Sequence, residues 1–176
     1  MRGAIGVALL LALPSTAASA THRQKVDPFA AGWKVAAKAS GYCDSAANTT
    51  TRSDAFRCYR GSYQIIDPCF SPPSASGQVL CVDAPWSHKA IELQLTKPLP
   101  AAGPGSEPIW AVALANGDRC TITPESTDTS HGRVIAWACT NGELAEGLHS
   151  GRTWWAMWQP SNGAPWKHVA IRTLYQ

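Results

Sequence analysis

The chain has 176 residues, six cysteines and eight tryptophans, with fifteen Lys+Arg against twelve Asp+Glu for a formal net charge of +3. A charge so near balance, with no basic stripe, excludes a nucleic-acid reader. The length suits one domain with a sizeable buried core.

The N-terminus reads as a secretory signal. Arg2 gives a positive start, residues 4–13 form an uncharged apolar run, and Ala18-Ser19-Ala20 matches the small-x-small cleavage pattern. Residues 1–20 are therefore expected to be a signal peptide. The run is half the length a membrane span needs, and no other stretch is long and apolar enough to cross a bilayer. The expected product is secreted, with residues 21–40 as an N-terminal leader segment and residues 41–176 as a single β-rich domain.

An oxidising destination makes an even set of cysteines a disulfide framework. Cys43, Cys58, Cys69, Cys81, Cys120 and Cys139 are expected to form three bridges. Fifteen pairings are possible. Cys69–Cys81 and Cys120–Cys139 are the two that neighbouring segments favour. No C-x2-C spacing or adjacent His pair points to metal, and no cofactor motif is present.

In chain order, residues 33–40 fit strand or helix: alanine content favours the helix, the Trp/Val alternation the strand. Ser53 can cap a short helical turn through residues 54–58, with Asp54 near its positive end. Asp54 among Arg52, Arg57 and Arg60 favours local ion pairs over a phosphate site. Strands follow at 63–66, 78–82 and 91–96, where Ile91, Leu93 and Leu95 face inward by strict alternation. Asp67 before Pro68 reads as a turn former.

Residues 110–114 and 120–123 form a hairpin around Asn116-Gly117. A two-residue loop would scatter the apolar side chains. A three-residue loop with Gly117 left-handed puts Trp110 across from Ile122 and Val112 across from Cys120, gathering them on one face. If Cys120 bonds Cys139 across neighbouring strands, Trp137 falls opposite Ile122. Strands at 153–159 and 168–174 end the chain. The fold class is mainly β: an antiparallel sandwich or partly open barrel with a short helix, stapled by disulfides.

Catalytic signatures are lacking. There is no G-x-S-x-G elbow, Ser-x-x-Lys or H-E-x-x-H, and paired cysteines leave no thiol. The carboxylates show no convergent pair in sequence. Tryptophan is the compositional excess. A strand over 153–159 puts Trp154 and Trp158 on one face and Trp155 on the other. Exposed rings there would make a ligand-binding platform, with Trp86 and Trp166, each after a proline, as further anchors.

Arg52-Ser53-Asp54-Ala55-Phe56-Arg57-Cys58, Asp67-Pro68-Cys69-Phe70, Cys81 with Pro85-Trp86, residues 95–100, and Trp110-Ala111 through Gly117 to Cys120 stand together over residues 41–160. This series resembles uncharacterised small exported disulfide-containing proteins of bacteria, of the actinobacterial type. The resemblance implies export and a cysteine framework; it carries no activity and no catalytic residue. The expected function is a secreted, non-enzymatic domain that binds an envelope glycan or protein through aromatic surface. The rivals are a protease inhibitor presenting the Cys69–Cys81 loop and an envelope hydrolase using carboxylates. Oligomeric state is not legible.

Overall fold

The computed structural model describes residues 19–61, 63–74, 77–101, 103–104, 108–123, 126 and 128–176. The apolar run of the expected signal lies outside the described residues.

The strands are β1 (His22–Gln24), β2 (Lys34–Ala46), β3 (Ala55–Arg60), β4 (Gln64–Phe70), β5 (Gln78–Cys81), β6 (Lys89–Leu95), β7 (Ala111–Leu114), β8 (Arg119–Ile122), β9 (Thr129–Ser130), β10 (Arg133–Cys139), β11 (Gly142–Ala145), β12 (Trp155–Pro160) and β13 (Lys167–Tyr175). They make two closed sheets. In the first barrel β2 to β6 run as an antiparallel meander, and β2 closes it by pairing with β6 in parallel. In the second, β7, β8, β10, β11, β12 and β13 are closed by the β13–β7 pairing, with β1 and β9 attached. The mainly-β reading holds. The single sandwich or partly open barrel gives way to two closed barrels, because both closing pairings join strands distant in sequence.

The helical turn expected over residues 54–58 is strand β3. Phe56 and Cys58 are buried inside the first barrel, and Arg57 and Tyr59 are not. That period of two outweighs the Ser53-Asp54 capping signal. The one helical segment among the described residues is a single 3-10 turn, Pro85–Ser87. Residues 33–40, left open between helix and strand, lie mostly in β2. The segment expected as a leader is tied in at both ends. β1 runs beside β13, Val26 N–H donates to the Gln176 carbonyl at 2.8 Å, and Val26 is buried.

All three disulfides join directly opposed residues on adjacent antiparallel strands. Cys43–Cys58 links β2 to β3, Cys69–Cys81 links β4 to β5, and Cys120–Cys139 links β8 to β10. The hairpin register is the expected one: Val112 opposes Cys120, Trp137 opposes Ile122, and Gly117 has a φ of 92°. That left-handed turn is one a side chain adopts only with strain.

Three buried clusters follow. Cys43, Phe56, Cys58, Cys69, Val79, Cys81 and Leu93 fill the first barrel, with Ile91 and Leu95 packed against them. Val112, Leu114, Trp137, Leu144, Ala156, Ile171 and Leu174 fill most of the second. Between the barrels, Val26, Ala55, Phe70 and Val82 meet Trp110, Ala111 and Tyr175. Trp110 is the largest of these, 1 % exposed, with its ring 6.4 Å from that of Phe70.

At one end of the second barrel a buried carboxylate ties the β7–β8 turn to the β10–β11 connection and to strand β12. Asp118 accepts from Trp158 Nε1 at 2.8 Å, and from the Arg119 and Asn141 amides at 3.0 Å each. Its desolvation is offset by charge-assisted bonds, which also fix the Trp158 ring.

Candidate functional site

The three tryptophans singled out in the sequence are not brought together. Trp154 and Trp158 pack from the barrel wall against the core of the second barrel, around buried Ala156. Trp155 points outward between two imidazoles. His149 stacks on it at 3.6 Å and 7°, and His168 lies 4.5 Å away, tilted 33°. The alternation read from the sequence assigned these faces correctly. It could not show that His149 and His168 cover the outward indole, because both come from segments flanking β12. All three rings are half-buried. Trp158 is held by Asp118. Trp154 carries the Arg23 guanidinium 5.1 Å from its ring centre. A continuous three-tryptophan platform is therefore not formed.

Trp86 and Trp166, expected as exposed anchors, are half-buried too. Trp86 meets Tyr175 edge-on at 6.1 Å, and Trp166 donates to the Ser130 carbonyl at 3.3 Å. Both indoles are drawn onto the barrels by partners far away in sequence.

What the fold does build is a cavity at one mouth of the second barrel. β7 begins, β8 and β11 end, and β12 begins at the same end of the second barrel. There Trp137 and Trp154 line a cavity of about 420 Å³ with Ile109, Ile122, Leu148 and Glu146. Of these, Trp137 is 3 % exposed and Glu146 is exposed. A concave, mostly apolar cavity with one convergent polar group is the usual form of a small-ligand site, and barrel mouths are a common place for one.

A second cleft, of about 370 Å³, lies on the first barrel and holds Arg57, Asp67 and Asp83. Asp67 is not the turn former expected. It sits within β4, opposite the irregularity between Phe56 and Cys58, and its carboxylate reaches the loop after β2. Thr49 Oγ1 donates to it at 2.6 Å and the Asn48 amide at 2.9 Å. Burial pushes its carboxyl above the ordinary range, against these bonds and the nearby Arg57 charge. With both oxygens engaged, Asp67 anchors the buried Thr49-Thr50 loop. Asp54 behaves oppositely. The Arg52 guanidinium, bonded to it at 2.9 and 2.6 Å, holds it below the ordinary range. That ion pair is the local one the sequence favoured.

Cys58, Cys69 and Cys81, and separately Asp118, Cys120 and Cys139, come within 4.8 Å of one another. Every one of those sulfurs is in a disulfide, so none is a thiolate that could ligate an ion. Comparison of the chain with protein-family models, with curated proteins and with solved structures finds no match.

Proposed function

We propose that this chain is an exported, disulfide-braced binding domain that holds an envelope glycan at the mouth of its second barrel. The observation that carries the reading is the pair of indoles, Trp137 and Trp154, on one cavity of about 420 Å³ with a single carboxylate, Glu146, in its lining. The C–H face of a sugar ring packs on an indole, while its hydroxyls need an acceptor near the edge. Three disulfides and a signal-like N-terminus support work outside the cytoplasm. Among the described residues no helix is long and apolar enough to cross a membrane.

A carboxylate hydrolase is the second reading, because Asp67 and Asp83 share one cleft. The bonds that Asp67 already accepts from Thr49 and Asn48 weigh against it.

Titration calorimetry with chitin oligosaccharides, as soluble models of an envelope glycan, tests the binding reading. Trp154→Ala is expected to weaken binding by roughly tenfold or more, the loss of one ring contact worth at least ~1.4 kcal/mol. Trp155→Ala, whose ring faces away between His149 and His168, is expected to bind as the parent does. Equal losses in the two variants, or none in Trp154→Ala, would remove the mouth as the site.

A further inference from the structure

The wall of the first barrel has a strand position left empty. β5 is short and pairs with β4 only through Cys69–Cys81 and Phe70–Leu80. Val82 adds one bond to the Pro68 carbonyl at 3.1 Å, after which the chain leaves for the Pro85–Ser87 turn. β4 starts earlier, at Gln64, and from there to Ile66 it pairs with β3 alone. β6 begins at Lys89, and its first two residues pair with β2 alone. In the register that pairs Cys81 with both Cys69 and Ile91, Ala90 falls level with Val82, so the open edge past β5 is that of β4 over residues 64–66. The cleft of about 370 Å³ lies there, lined by Gln64, Ile65, Ile66, Asp67, Val82 and Ile91, with Asp83 and Arg57 beside them.

The position is apolar as well as unpaired. Ile65 is 48 % exposed and Tyr63, two residues before it, 89 %. An uncovered strand edge carrying the β-branched Ile65 and Ile66 is a template for another chain, and native proteins rarely leave one bare. The cleft of about 370 Å³ is of the size that small-ligand and peptide sites have. Both oxygens of Asp67 are held by Thr49 and Asn48, so the exposed Asp83 is the carboxylate of this lining that can meet a basic side chain.

We propose that this cleft takes a short extended segment of a partner protein, which continues the line of β5 antiparallel to β4 and sets a basic side chain toward Asp83. Backbone bonds to the β4 edge supply affinity. Alternate side chains on Ile66, Ile91 and Val82 supply selectivity. The site is on the other barrel from the tryptophan mouth, so it stands independently of the glycan reading.

Fluorescence anisotropy with a labelled peptide of alternating valine and lysine tests this on the intact, oxidised protein. Saturable binding is expected. A valine–glutamate peptide should bind weaker by roughly tenfold or more, and exposed Asp83→Lys should weaken the lysine peptide to a similar degree. N-methylation of the peptide backbone should abolish binding, and edge-facing amides over residues 64–67 should gain protection from hydrogen exchange when the peptide is bound. No binding of the lysine peptide, equal binding of the glutamate peptide, or protection elsewhere overturns the proposal. So does concentration-dependent self-association that protects the same amides, which would make the occupant a second copy of this chain.

Discussion

Reduction of the three disulfides is expected to abolish the cooperative folding of the first barrel. The reason lies in what fills it. Four of the seven buried residues inside are half-cystines, and only Phe56, Val79 and Leu93 are large apolar groups without sulfur. Opening Cys43–Cys58 and Cys69–Cys81 therefore removes cross-links and disturbs the packing at once. In the chain-entropy model, loops of 15, 12 and 19 residues are each worth roughly 3 kcal/mol. Their sum is comparable with the whole stability of an ordinary domain, about 5–15 kcal/mol. The second barrel has Trp137, Leu114, Leu144, Ile171 and Leu174 beside its one disulfide. Replacing Cys120 and Cys139 together by alanine should lower stability by roughly 3 kcal/mol and leave a folded protein. Calorimetric scans with and without reductant check both. A thermal transition unchanged by complete reduction would contradict the role given to the disulfides.

Trp110→Ala is expected to lower stability by about 3–5 kcal/mol, and Trp110→Phe by markedly less. The ring is 1 % exposed and sits where the two barrels meet, among Ala55, Phe70, Val82 and Tyr175. Removing it opens a cavity at the contact that joins them. Its Nε1–H is buried without a hydrogen-bond partner in the structure, and a phenyl ring has no such donor to leave unsatisfied. For a protein of this size each kcal/mol moves the midpoint by roughly 2–4 °C, so the alanine variant should melt on the order of 10 °C lower. Denaturant unfolding followed by circular dichroism separates the two substitutions. Equal losses would contradict the packing role given to the ring, since phenylalanine keeps most of its volume and loses only an unpartnered N–H.

Local order was legible where a short pattern decides it. The Asn116-Gly117 loop, the apolar face it had to assemble, and the opposition of Cys120 to Cys139 are all local statements, and the structure has them. Barrel closure was not legible. Alternation tells which side chains point inward, but nothing in residues 34–41 names residues 89–95 as a parallel partner, or in residues 111–114 names residues 171–175. The Ser53-Asp54 signal misled for a related reason. A capping residue describes the chain in isolation, whereas burial of Phe56 and Cys58 is imposed by strands on both sides. In the candidate site, Trp154 was read as a binding residue from alternation alone. The sequence places Trp137 only opposite Ile122 on the apolar face, and the cavity it shares with Trp154 exists only where β8, β10, β11 and β12 meet at one end. The empty strand position has no sequence signal beyond the shortness of β5 and the exposed Tyr63 and Ile65.

Assigned indole N–H resonances in a nitrogen-15 NMR titration give the most direct test of binding at the second barrel. On adding a chitin oligosaccharide to saturation, the Trp154 signal should move, Trp137 should move with it, and Trp155 should stay. Saturation that shifts Trp155 or the first barrel while leaving Trp154 and Trp137 in place would contradict the assignment of the barrel mouth as the glycan site.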